Sequence, residues 1–206
     1  MNIFIVVVGV LVLWSVWGYF SSNVEQTEYS VVTKMDGYEI RQYSAHIVAQ
    51  TKVQGSYNEA LNKGFTIIAG YIFGDNAKKE TIAMTAPVVS GKQSSEKIAM
   101  TAPVLATTGD SESTISFAMP KKYTLDSLPV PTDTRIELVE VPAQKVAALR
   151  FSWFRSTDRV RNMEKRLLEL LAKDGVEVVG SPSYAGYNAP WTPPWMMRNE
   201  ILVEVK

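Results

Sequence analysis

The chain has 206 residues, a size that suits one domain with an appendage. Hydrophobic residues make up 46% and charged residues 20%, enough for a sizeable core and against wholesale disorder. The 21 basic and 21 acidic residues cancel without long runs of either sign, so nothing recommends nucleic acid as a partner, and the lack of cysteine excludes disulfides and thiolate sites.

Residues 3–20 form an uncharged run rich in Val, Ile, Leu and Trp. At about 1.5 Å per residue it spans roughly 27 Å, close to the hydrocarbon thickness of a bilayer. Trp14, Trp17, Tyr19 and Phe20 gather at its C-terminal end, where an aromatic belt meets headgroups. A cleaved signal peptide and a buried core helix compete with a membrane anchor. Only Met1 and Asn2 precede the run, and Trp17-Gly18-Tyr19-Phe20 makes a poor cleavage site. A helix apolar on every face is uncommon inside so small a domain. The expectation is an uncleaved single-pass anchor over residues 1–21 and a linker over 22–27. The domain 28–206 then lies on the extracytoplasmic side, though neither flank carries the basic cluster that sets orientation.

Asp36-Gly37 separates two strand-like segments and predicts a hairpin, because glycine tolerates the positive φ of a tight turn. Residues 45–53 alternate as a strand and end at Gly55. Ser56 and Glu59 have the spacing of a capping box, opening a helix over 56–73. Leu61, Phe65, Ile68 and Ile72 give that helix one apolar stripe, and Gly64 within it hints at close packing against a strand or a flat ligand. Extended segments are predicted over 81–90, 97–107, 114–119, 135–141 and 145–154. A second helix follows over 157–173, then strands over 176–179 and 201–205. An irregular aromatic stretch, Tyr184 to Arg198, lies between the last two. Helices set between antiparallel strands point to an α+β fold in two similar halves.

The string Ile-Ala-Met-Thr-Ala-Pro-Val occurs twice, at 82–88 and 98–104. Two readings stand side by side. Met84 and Met100 fill core space in a hairpin, or they line a cavity in which polarisable thioethers meet a flat ligand. Pro interrupts each copy, as it does at a sheet edge or bulge.

With these repeats, Tyr38-Glu-Ile-Arg-Gln-Tyr43, residues 115–123, Leu128-Pro-Val-Pro131, residues 148–152 and Tyr187-Asn-Ala-Pro-Trp-Thr-Pro-Pro-Trp195 with Arg198-Asn-Glu200 complete an ordered set. In this set the chain resembles the SOUL heme-binding proteins over roughly residues 28–205. The resemblance implies a distorted antiparallel β-barrel of about eight strands, with two packed helices in pseudo-twofold halves. It also implies non-covalent binding of heme or a related tetrapyrrole in an apolar groove, one wall of which is the helix over 56–73. Leu61, Phe65, Ile68, Met84 and Met100 are the expected contacts. Arg41 and Lys63, with Lys78 and Lys79, are the basic candidates for the propionates. Gln42 stands where some relatives have a histidine, so the one histidine, His46, is the candidate iron ligand, against the alternative of a solvated strand residue. Tyr187, Trp191 and Trp195 form either a flap over the ligand or packing beneath the last strand.

An enzyme is the rival class. The nucleophile-elbow, phosphate-loop and zinc-helix motifs are missing, so the expectation is a carrier, buffer or sensor rather than a catalyst. Tetrapyrrole breakdown and a site for another apolar ligand stay open as alternatives.

Overall fold

A computed structural model of the protein describes residues 2–21, 25–78, 95–108, 112–189 and 191–206. The helix α1 (Asn2–Ser21) comes first. Among the described residues no helix is long and apolar enough to cross a membrane, so the fold lends the expected span no support of its own.

Asp36-Gly37 turns the chain as expected, with Gly37 at φ 95°, and joins β1 (Tyr29–Met35) to β2 (Tyr38–Tyr43). After β3 (His46–Gln54) the helix α2 (Tyr57–Phe73) begins at the predicted capping box: the Ser56 backbone N–H donates to Glu59 at 3.1 Å. Short β4 (Asn76–Ala77) follows, then β5 (Val104–Thr108), β6 (Glu112–Ala118), β7 (Val130–Pro131), β8 (Glu137–Val141) and β9 (Gln144–Phe151). The helix α3 (Thr157–Lys173) matches its predicted span, with the Ser156 side chain accepting from the Arg159 N–H as the cap. β10 (Ser183–Gly186), a 3₁₀ turn (Pro194–Met196) and β11 (Asn199–Glu204) complete the chain.

Nine strands form one antiparallel sheet in the order β1-β2-β9-β11-β10-β5-β6-β3-β8, and β4 pairs with β7 apart from it. The terminal strands β1 and β8 are not neighbours, so the expected distorted barrel takes the form of a curled, open half-barrel of nine strands. The α+β class stands.

Both helices lie on one face. α2 packs on β3 and β6, and α3 packs on β9 and β11. Ala60, Leu61, Gly64, Ile68, Tyr71 and Ile72 face the sheet. A methyl group at Gly64 would overlap the side chain of Ile115 on β6, so the glycine serves close helix–strand packing. α3 contributes Val160, Leu167 and Leu171 to the same core.

Three local expectations are corrected, and a fourth falls outside the described residues. Phe65 is 39% exposed, because the buried stripe of α2 runs through Ala60, Gly64 and Tyr71 instead. The second heptapeptide copy is not a strand before Val104. Its Thr101 and Ala102 are both buried, Met100 is 38% exposed, and the Ala102–Pro103 peptide is cis. Residues 176–179 form only an isolated bridge, Val178 to Val205, rather than a strand. The first copy, residues 82–88 with Met84, lies outside the described residues.

Candidate functional site

Strand alternation gives the sheet a second, helix-free face. On β9, Ala147 and Leu149 point to the helices while Val146 and Ala148 point away. On β11, Ile201 and Val203 join the helical core and Leu202 the opposite cluster. Tyr43, Leu105, Val146, Ala148, Ala185, Tyr187 and Leu202 pack together on this second side.

A polar network is set into the same face. The guanidinium of Arg41 donates to Glu200 at 2.7 and 3.2 Å and to Glu39 at 2.9 Å, and lies 4.4 Å from the ring centre of Tyr29. Arg198 donates to Glu200 at 2.9 Å, and the Tyr187 hydroxyl donates to it at 2.8 Å. Burial alone would raise the Glu200 carboxyl, but hydrogen bonds and charge from Arg41 and Arg198 outweigh it and hold the group below the usual carboxylate range. Burial raises the Tyr187 phenol, and the Glu200 charge raises it further, so it stays protonated and donating.

Beside this network lies a cavity of about 570 Å³, within the size range of small-molecule sites. His46, Ile47, Met119, Tyr123 and Leu125 line it, with linker residues 25–28 along one side. A smaller cavity of about 180 Å³ is lined by Tyr43, Leu105, Val146 and Leu202. His46 and Thr27 border both, so the imidazole stands between an apolar platform and the larger space.

The imidazole is also oriented. His46 Nδ1 lies 2.9 Å from the Ser44 carbonyl oxygen, which can only accept, so Nδ1 carries a hydrogen and, in the neutral ring, Nε2 is the nitrogen with the lone pair. A backbone carbonyl fixing one ring nitrogen so that the other can ligate is the usual arrangement of a metal-binding histidine. Among the described residues no group of three or more His, Asp or Glu is placed to hold a metal ion.

The expected site residues do not converge. His46 reaches the cavity, and Met100 precedes its lining residue Thr101. Leu61 and Ile68 are core residues beneath α2, while Lys63 and Phe65 are exposed on that helix, and neither cavity takes a residue from α2. Arg41 is 3% exposed and bonded to Glu200, which leaves it nothing to offer a propionate. Lys78 is exposed, and Lys79 lies outside the described residues. Tyr187 packs beneath β11, whereas Trp191 and Trp195 are exposed. Met119, Tyr123 and Leu125 were missed as lining residues. Their only sequence signal is the apolar run before Pro120 and the turn residues after it.

A tetrapyrrole is met unevenly by these residues. The apolar platform and the free Nε2 suit its ring and its metal. Glu25, Glu28, Asp126 and Glu140 border the large cavity, and Lys121 is already bonded to Glu28 at 2.8 Å, so propionates belong at the solvent edge.

A family model described as SOUL heme-binding protein matches residues 24–95 and 89–204. Heme-binding protein 2 of Homo sapiens is 30% identical over 156 residues, covering 74% of this chain and 71% of that protein. Its Mus musculus counterpart is 28% identical over 156 residues, with 75% and 71% covered. Among solved structures, the EcmrR C-terminal domain superposes with a TM-score of 0.57 at 12% identity, covering 86% of this chain and 98% of that one. A hydrolase from Listeria innocua gives 0.52 at 11%, covering 85% and 94%. At such identities the last two describe the fold alone. The first two, with the match across nearly all of the domain, carry the assignment: the chain belongs to the SOUL heme-binding protein family.

Proposed function

We propose that this domain binds heme or a related tetrapyrrole non-covalently on the helix-free face of its sheet, as a membrane-tethered carrier, buffer or sensor. The observation that carries the site is His46. It is the one imidazole in the chain, its Nδ1–H is held by the Ser44 carbonyl, and it borders both cavities. Leu105, Val146 and Leu202 would cover one face of the ring, and His46 would hold the iron through Nε2. A bound heme iron would supply the ligand-exchange chemistry. The protein's own part is to orient the imidazole and cover one ring face. Burial of a few hundred Å² of apolar ring at about 25 cal/mol per Å² sustains micromolar binding after association costs.

The tether rests on the uncharged run 3–20 and on exposure. Val6, Val7, Val8, Val10, Val12, Leu13 and Val16 are all uncovered by the domain, which suits a bilayer around them. Orientation with the domain on the extracytoplasmic side completes the reading.

Hemin titration tests it. A saturable Soret shift at one equivalent, altered in position by His46→Ala, is the expected result. No saturable shift sinks heme binding and favours another apolar ligand. Bleaching of the Soret band under reductant and oxygen, with bile pigment formed, would make the domain a degrading enzyme.

A further inference from the structure

The chain contains five tryptophans, and four of them, Trp14, Trp153, Trp191 and Trp195, fall in one connected region where α1 meets the domain. Trp14 donates its indole N–H to the Trp191 carbonyl at 2.9 Å and meets the Trp195 ring edge-on, with centroids 5.5 Å apart. Gly18, one turn further along α1, faces Pro193 so closely that a Cβ there would sit 2.6 Å from the proline ring. The backbone N–H of Trp153 donates to Pro194 at 3.0 Å, and the Trp153 ring stands 6.3 Å from that of Phe154. Helix, Trp/Pro loop and the turn after β9 thus form one aromatic ridge.

The ridge faces outward. Trp153 is 50% exposed, Phe154 53%, Trp191 58% and Trp195 45%. Tryptophan is highly buried on average, so four adjacent bulky aromatics half in solvent are unusual for a surface that meets only water. Trp153 adds a second sign. Its φ is 84°, a left-handed conformation unfavourable for a bulky side chain, and its carbonyl accepts from Asn199 at 2.8 Å to hold it there. A glycine would adopt that turn without strain, yet the position carries an outward-pointing indole. Arg155 and Arg159 follow directly, both exposed.

We infer that this ridge seats the domain in the interfacial layer of a phospholipid bilayer, so that the protein meets the membrane through its folded domain as well as through α1. The inference rests on the proposed tether. Trp14 precedes Phe20 by six residues, about 9 Å along a helix axis. The loop that grips Trp14 and Gly18 therefore lies at the headgroup–acyl boundary, where interfacial apolar faces insert by about 5–10 Å. Indole rings favour that layer.

The lack of cysteine makes the test clean. The full chain, reconstituted in vesicles of phosphatidylcholine with phosphatidylglycerol, carries a nitroxide at Phe154→Cys, at Val12→Cys in α1, or at Lys165→Cys on the exposed side of α3. Accessibility to oxygen, which partitions into lipid, is compared with that to a water-soluble nickel chelate. The expected outcome is an oxygen-to-nickel ratio several-fold higher at positions 154 and 12 than at 165. A lipid reading at 12 with a water reading at 154 overturns the ridge proposal and leaves the tether standing. A water reading at both overturns both. Shielding of 154 from both reagents with spin–spin broadening would put a second copy on the ridge and overturn the bilayer proposal. A Trp153→Gly chain labelled at 154, with circular dichroism unchanged, is expected to shift toward the water reading.

Discussion

Arg41 and Glu200 are 159 positions apart in the chain and lie on strands that do not touch, yet their side chains meet at 2.7 and 3.2 Å. β9 runs between β2 and β11, and on the helix-free face it presents Ala148, opposite Glu39 on one side and Leu202 on the other. A small residue there leaves room for the guanidinium to cross. Glu200 is fully buried and also takes Arg198 and Tyr187, so the network knits β2 to β11 across β9.

Removing one member should leave a buried charge without its partner. Glu200→Leu leaves buried Arg41 with only the partly exposed Glu39 as its ionic partner, and a loss of about 3–5 kcal/mol is expected by urea unfolding. Arg135→Ala, which breaks an exposed pair with Asp133, should change stability by at most about 1 kcal/mol. Equal losses in the two variants would contradict the weight given to burial.

Acid should weaken the fold in a defined window. Glu200 and Asp133 are both held below their ordinary values, Asp133 to about 2 by its bonds to Arg135. Groups with depressed folded values stabilise above their unfolded values and lose that contribution as protons bind the native state. The urea midpoint should hold steady from pH 7 to about 5 and fall below about 4.5, toward about 2. In Glu200→Gln the fall should be shallower, which a pH series of unfolding curves would measure.

Gly64→Ala probes the helix–sheet contact. Alanine favours the helix by about 1 kcal/mol, but its methyl must displace Ile115, and overpacking of this kind costs roughly 1–3 kcal/mol. Net destabilisation is expected. The double change Gly64→Ala with Ile115→Val should recover part of it, and a more stable single variant would refute the close approach.

Two substitutions separate the cavity from the outer side of α2 as the ligand site. Ala45 is exposed and lines the large cavity, so Ala45→Trp should lower hemin affinity about tenfold or more with little change in melting temperature. Phe65→Ala, on the exposed side of α2, should leave hemin affinity nearly unchanged. The reverse pattern would move the site to α2.

Much of the local architecture was written in short-range chemistry. Asp36-Gly37 made a hairpin because the turn needs a positive φ, and the span of α3 followed from its apolar spacing. The ordered family segments were likewise readable, because they are properties of the string alone. Which residues surround a ligand was not. Arg41 read as a free cation until β11 supplied Glu200, and Phe65 read as part of a buried stripe until Gly64 drew the helix onto Ile115. His46 looked like any strand histidine until the sheet order put two cavities at its sides. Local sequence decides dihedral preferences and periodicity, whereas the partners of a side chain depend on which distant strands become neighbours. Only the strand order, β2-β9-β11 on one side and β6-β3-β8 on the other, made those choices.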